Sequence, residues 1–413
     1  MGRNKKSRDF IRKMLGESFS NIFRRELKSI LRNPRYLILL TLGLAFSYVF
    51  FITLMYEGQP EKLPIAIVDQ DGSYLSRRLC HEIDATQGVR VVAVYNNHAQ
   101  ARLAMQRQQI YAFFEIPENL YAEVLAFKAP KLSLYSNNAY LMPGSFSYKT
   151  LATIGKLASA AVQREVLRKK GYDDERIMGI IQPVELDTHM ISNPTANYQP
   201  YVLTTVLPGI LGVMVLLFTV YKVTDERKKN TLRQWLDAAH GNALLAVVSK
   251  LMPYTLWFTL LGLIGNIVLF DYAHYTMLGS FAMLSLVMLL FVFVQQAMGL
   301  FLAVLIPEQH LAISVSAIYG MLSFTMAGFS YPVSSMPHFI QYVSYLFPLR
   351  RYYLTYVDIA LYGNGLAYYW PHLVALLSFL VIGMLGVWML GREYEKLVAV
   401  REETVLEKNE KTR

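Results

Sequence analysis

The sequence predicts a polytopic α-helical membrane protein with six transmembrane helices and a large α/β extracytoplasmic domain inserted between the first and second spans. Three observations lead there. The 413 residues are 54% hydrophobic and only 17% charged, and a mean hydropathy of +0.29 is too apolar for a soluble globule. Six windows of about membrane length contain no Asp, Glu, Lys or Arg. Residues 57–200, by contrast, alternate short strand-like and helical runs, as a folded domain does.

The first window, 36–56, is long enough to cross roughly 30 Å of hydrocarbon at about 1.5 Å per residue. A basic arm over residues 1–35 precedes it, and Glu57-Gly58-Gln59 follows where small residues would close a signal peptide. It therefore reads as an uncleaved anchor. Further windows lie at 201–221, 254–270, 278–304, 311–329 and 372–390. One charge at a helix centre costs about 2.5–3.5 kcal/mol on insertion, so six charge-free windows are not a chance pattern.

Lys and Arg set the orientation. They crowd the arm before the first span, the loop 222–250 between the second and third spans, and the tail 391–413 after the sixth. These three segments are expected to be cytoplasmic, in an inner-membrane protein with both termini inside. The net charge of +10 is thus explained by topology rather than by nucleic acid. Residues 57–200 are expected outside, since loops beyond about 60 residues translocate largely regardless of charge. Strands are predicted at Ile65–Val68, Val89–Val94, Ala112–Ile116 and Leu132–Tyr135. Helices are predicted from near Ser73, over Ala99–Gln109 and over Phe146–Lys170, and a returning strand over Val184–Ile191. Strand order is not readable.

The arm is amphipathic. Phe10, Ile11, Met14, Leu15, Phe19, Ile22, Phe23, Leu27, Ile30 and Leu31 recur at three- and four-residue steps, with Arg24, Arg25 and Lys28 among the residues of the other face. Such a connector helix lies in the membrane interface, its apolar side (Phe19, Phe23) among lipid acyl chains and its cations toward headgroups. It serves as an anchor or as a dock for a cytoplasmic partner. The inner loop predicts a short helix from about Asp225 to Ala239, broken at Gly241. Near the start of that helix, Glu226 would favour the helix dipole and face a partner.

In this loop, acidic and basic residues followed by Thr-Leu and then by a Lys before the next span resemble the coupling-helix region of type-2 ATP-binding-cassette (ABC) exporter permeases. Glu226, Arg227, Lys229, Thr231 and Leu232 match, while Asn230 stands where glycine is common. Residues 193–214 resemble that family's entry to the second span. Residues 328–353, with Pro332, Met336, Pro337 and Pro348, resemble its segment after the fifth. The resemblance implies ATPase coupling through the matched loop residues, a second permease subunit (homo- or heterodimer), and cytoplasmic ABC ATPase subunits that carry ATP and Mg. A periplasmic adaptor is a further candidate partner, and drugs, lipid-like molecules or ions are candidate substrates. A receptor or force-transmitting protein driven by an ATPase is the rival reading.

Residues 330–371 are too broken by proline for one helix and are rich in tyrosine, as an aromatic belt at the outer interface is. Arg350 and Arg351 fall within it, placed either to snorkel to headgroups or to close an outer gate against acids. The sequence contains no Gly-x-x-x-x-Gly-Lys-Ser/Thr loop, so the chain is read as a transport subunit, not an enzyme, with no cofactor of its own. Asp69-Gln70-Asp71-Gly72 opens like a calcium loop, but Cys80 occupies the twelfth position, where a bidentate Glu is required. The lone cysteine allows no intrachain disulfide.

Overall fold

The computed structural model describes residues 2–410 except 57, 127, 185, 186, 188, 190–192 and 194–196. Within its helices the side chains of 2–15, 37 and 402–410 also fall outside the description. Along the chain run α1 (Gly2–Arg32), α2 (Pro34–Leu54), β1 (Leu63–Asp69), α3 (Tyr74–Asp84), β2 (Val89–Tyr95), α4 (His98–Gln106), β3 (Ala112–Ile116), α5 (Leu120–Leu125), β4 (Ser133–Ser136), α6 (Leu141–Lys169) and α7 (Asp174–Ile181). Then follow α8 (Tyr198–Lys228), α9 (Leu232–Asp237), α10 (Ala243–Ile267), α11 (Phe281–Leu305), α12 (Gln309–Ala327), α13 (His338–Ser344), α14 (Pro348–Tyr356) and α15 (Leu366–Glu410). Two compact units result: Glu57–Met190, and Met1–Tyr56 with Ile191–Arg413.

The inserted unit is an α/β fold on a four-stranded sheet of order β2-β1-β3-β4, with β1 parallel to both neighbours and β4 antiparallel to β3. Central β1 buries Ile65, Ala66, Ile67 and Val68 completely, which accounts for its unbroken apolar run, since a central strand covered on both faces has no solvent side. One face packs on Leu79 and Ile83 of α3, Leu120 of α5 and Leu151 of α6, and the other on Ala101 and Ala104 of α4. Ser73 and Asn97 accept backbone N–H bonds at the starts of α3 and α4, as short oxygen-bearing side chains do at helix N-termini. The Asp69 carboxylate is engaged internally, accepting from the backbone N–H of Asp71 and Gly72 and from the Ser76 hydroxyl. Helix α6 begins at Leu141, ahead of the predicted Phe146, because Pro143 is tolerated in a first helical turn. The expected strand at 184–191 lies mostly outside the described residues.

The second unit contains six helices long and apolar enough to cross a membrane: Pro34–Leu54, Tyr198–Lys228, Ala243–Tyr272, Phe281–Leu305, Gln309–Ala327 and Leu366–Arg401. Helices α8 and α11 are the most enclosed and α2 the least. The third span begins at Ala243, not at 254, so Lys250 lies inside its helix, and the helix closes in a π turn over Val268–Tyr272. The expected helix over Asp225–Ala239 is likewise corrected. Helix α8 continues to Lys228, Asn230 takes a positive φ of 55°, and only the six residues Leu232–Asp237 form α9. Asparagine is among the non-glycine residues that tolerate this left-handed backbone best, which explains how it stands where glycine is common. The proline-broken segment resolves into a 3-10 turn at Val333–Ser335, α13, α14 and a π turn at Val357–Leu361.

Helix α2 meets α10 where Tyr48 lies over Gly265, and a Cβ at Gly265 would collide with the Tyr48 hydroxyl and ring. Only glycine allows that approach. Gly265→Ala is therefore expected to destabilise the purified chain by about 1–3 kcal/mol through overpacking, read as a lowered unfolding temperature in detergent. Combining it with Tyr48→Ala should recover part of the loss; strictly additive losses would show that the two side chains do not meet.

Candidate functional site

At the end of the bundle where α8 and α11 finish and α10 begins, three ionised side chains are almost withdrawn from solvent: Lys250 is 2%, Glu26 4% and Glu226 7% exposed. The Lys250 ammonium donates to Glu26 Oε1 at 2.9 Å and to Glu226 Oε1 at 2.6 Å. Tyr254, one turn further along α10, donates to Glu26 Oε2 at 2.9 Å. Arg25 Nη2 reaches Glu226 Oε1 at 2.7 Å, the Thr231 hydroxyl donates to Glu226 Oε2, and Lys222 Nζ stands 4.0 Å from Glu26 Oε2. The cluster thus joins α1, α8, α10 and the start of α9. Burial alone would push the Glu26 carboxyl up, but the charge and hydrogen bond of Lys250, with Lys222 and Tyr254, hold it at about 2.

The connector helix reaches this cluster through the line Ser18, Ile22, Glu26, all buried and spaced by four residues on one face. Ile22 belongs to the buried cluster that also holds Val220, Trp235, Leu236 and Ala246. Phe19 and Phe23, the expected lipid-facing pair, stack at 5.9 Å and are half-buried beside that line, while Arg24 is exposed. Phe10, Ile11, Met14 and Leu15 of the predicted stripe lie outside the described side chains. Glu26 is the residue sequence reasoning missed. Its register with Ser18 and Ile22 was a signal for it.

Arg227 forms a second junction. Its Nε and Nη2 bind both oxygens of Glu393 at 2.9 and 2.6 Å, its Nη1 donates to the carbonyl of Ala303, and its Nη2 donates to that of Val304 at 3.4 Å. It thereby serves the last turn of α11, whose carbonyls have no partner within their own helix, and ties it to α15. Leu232, Trp235 and Leu236 form the buried face of α9, with the Trp235 indole donating to the carbonyl of Ala246 at 3.2 Å. Of the residues expected to face a partner, Glu226, Arg227, Thr231 and Leu232 are therefore turned inward. Lys229 is exposed and pairs along its own helix with Asp225 at 2.6 Å. Glu226 ends a long helix instead of starting a short one, and its charge is answered by Lys250 and Arg25. Beside Arg227, a cleft of about 290 Å³ is lined by Thr224, Lys228 and residues 307–310.

A family model described as ABC-2 family transporter protein matches residues 34–389, nearly the whole span-bearing region. The chain belongs to this ABC-2 family. It is similar to the probable multidrug ABC transporter permease YbhR of Escherichia coli (strain K12), 23% identical over 365 residues that cover 86% of this chain and 93% of that one. It is also similar to the probable multidrug ABC transporter permease YbhS of the same organism, 26% identical over 182 residues, 44% of this chain and 48% of that one. The protein is accordingly a membrane permease subunit of the ABC-2 type and not the catalytic component.

At the opposite end of the permease bundle, Pro332 precedes the 3-10 turn, Pro337 precedes α13 and Pro348 opens α14. The Tyr201 hydroxyl donates to the carbonyl of Phe329, and that of Tyr319 to Leu346 at 2.7 Å. Arg350 and Arg351 are half-buried, and no carboxylate among the described residues pairs with either.

The Lys250→Met variant removes the cation that two buried carboxylates share and should cost about 3–5 kcal/mol, read as an equivalent loss of thermal stability in detergent. Glu26→Gln tests the sign of the linkage. Because the folded carboxyl is held below its ordinary value, its contribution is full above about pH 4.5 and fades as pH falls toward 2. The gap between parent and Glu26→Gln should therefore be constant from pH 8 to 6 and narrow below pH 4.5. A gap that widens on acidification would contradict the pairing.

Proposed function

We propose that this permease is the membrane-spanning subunit of an ATP-driven exporter, seated in the inner membrane with both termini cytoplasmic. It moves substrate out of the cytoplasm or inner leaflet along a path formed with a second permease subunit. ATP and Mg reside on separate ATPase chains. The family match supports the class, the Lys- and Arg-rich flanks support the orientation, and the naming of relatives as probable multidrug permeases favours amphipathic drug-like substrates.

The observation that carries the mechanism is the buried ion cluster. A partner pushing on α9 pushes on Thr231 and Glu226, and through Lys250 and Glu26 moves α10 and the connector together, since no member can leave without stranding a charge. The face offered to the ATPase is the exposed edge Gln234, Asp237, Ala238 and His240, above buried Trp235 and Leu236. Coupling thus divides into contact by this edge and transmission by Glu226.

Two variants separate the parts in the complex purified with its ATPase. Ala238→Arg with His240→Glu should weaken ATPase association at least about tenfold, roughly 1.4 kcal/mol, while leaving thermal stability unchanged. Glu226→Gln should keep association and lower substrate-stimulated ATP hydrolysis. Parental association and turnover in both would remove the coupling role from this loop.

Orientation is tested by thiol labelling. Cys80 is a poor reporter, because burial and the Asp69 charge push its thiol up to about 11, about a hundredfold less thiolate at neutral pH than an ordinary cysteine. A Ser145→Cys, Cys80→Ala chain presents an exposed position of the inserted domain. Membrane-impermeant maleimide should label it in cells whose inner membrane is intact. Labelling only after that membrane is broken would reverse the topology.

A further inference from the structure

The end of the bundle away from the ion cluster holds the opposite electrostatic situation. Arg350 has its Nε and Nη1 buried and without a hydrogen-bond partner. Its guanidinium lies beside the last turn of α12, with Nη1 4.0 Å from the place a Cβ would occupy on Gly328. The carbonyl end of that helix attracts the cation but does not bond it. Arg351 stacks on the Tyr345 ring at 4.6 Å and holds Nη1 3.4 Å from His372 Nδ1. Helix α14 opens directly beneath, with Pro348 in its first turn, no acidic residue there and no side-chain cap from Phe347, so its positive pole adds to the two arginines.

A guanidinium with two donors sealed from water and no acid to meet them carries an uncompensated desolvation cost. We infer that Arg350 and Arg351 form a binding site for a phosphate group at the end of the bundle where α12 finishes and α14 begins. Phosphate fits better than carboxylate. Once binding turns the sealed Nε and Nη1 of Arg350 toward the ligand, the two guanidinium groups carry more donors than two carboxylate oxygens can satisfy, and arginine forks match phosphate bidentately. The group can come from a lipid headgroup or from a free phosphate. The lipid is favoured by the exposed Tyr342, Tyr345, Tyr362, Tyr368 and Trp370 around the segment, residues that collect at headgroup level. Only its placement on the outer side rests on the exporter reading.

The test uses the full-length chain in detergent, with native mass spectrometry counting retained dioleoylphosphatidylglycerol against dioleoylglycerol, which has the same chains and no phosphate. The parent should retain the phospholipid at least fivefold more, Arg350→Gln should remove the preference, and Arg350→Lys should keep part of it. Arg351→Gln, which alters no sealed donor, should weaken it severalfold, with unchanged melting as a check on folding. Displacement of the phospholipid by millimolar inorganic phosphate would identify a site open to free phosphate, and resistance would identify the lipid headgroup; either result supports the assignment. Equal retention of the two lipids by the parent, or a preference undiminished in both Arg350→Gln and Arg351→Gln, would overturn it. The measurement needs neither ATPase nor membrane sidedness, so its failure would leave the exporter reading standing.

Discussion

A lysine sealed inside an apolar helix is the constraint around which the inner half of the bundle is built. Alone, the Lys250 ammonium would be stranded, since an unpaired buried charge costs several kcal/mol. Two carboxylates answer it, one from α8 and one from α1. Two acids that close would in turn repel each other without the cation, and Arg25 and Lys222 balance the surplus. Such a group adds little net stability compared with an apolar replacement of the same volume. What it supplies is coordination, because each helix that carries a member is held in register with the others.

Helix α8 connects that group to the rest of the permease. Its final turns carry Lys222, Glu226 and Arg227, and Arg227 closes the carbonyl end of α11 while holding Glu393 of α15. Its opposite end carries Tyr201, bonded to the chain just after α12. A helix of 31 residues spans about 46 Å at 1.5 Å per residue, so one continuous element touches both ends of the bundle. Pro208 lies within it and removes one internal hydrogen bond, the usual cause of a local kink. Displacement at Glu226 therefore reaches the Tyr201 end through a helix that is stiff except at one defined place.

Much of this fold was legible in the sequence, and the misses share a cause. Charge-free windows found the six spans, and the α/β character of the inserted domain followed from its short alternating runs. The same windows set the third span to begin after Lys250, because a charge marks a boundary only when nothing answers it. Its partners lie 24 and 224 residues away, and no local periodicity reveals them. Thr224-Asp225-Glu226 has the composition of a helix start, yet α8 arrives already helical from the membrane and simply continues. Strand order stayed unreadable for the same non-local reason: the order β2-β1-β3 is fixed by which crossover covers which face of β1. Glu26 differs from these cases, since its four-residue spacing from Ser18 and Ile22 is visible, but one acid is easily passed over in an arm with eleven cations.

The two ends of the bundle differ in how completely their polar groups are answered, and that difference suggests where movement is absorbed. At the Lys250 end the buried charges Glu26, Glu226 and Lys250 all have partners at hydrogen-bonding distance, and the unmet buried atoms nearby, among the described residues, are single nitrogens of Arg233 and Gln309. Toward the other end, the hydroxyls of Tyr48, Tyr275 and Tyr352 and two donors of Arg350 are buried without a partner. Each such group costs about 1–3 kcal/mol when left unmet, and the unmet guanidinium and tyrosine hydroxyls gather in this half of the bundle. A rearrangement that gave these hydroxyls and the guanidinium new partners would be opposed by few bonds and favoured by several. The same rearrangement at the Lys250 end would have to strand a charge. On the proposed coupling role, force applied at α9 would be borne by the ion-paired end as a rigid displacement and relieved at the other, where side chains gain by changing neighbours.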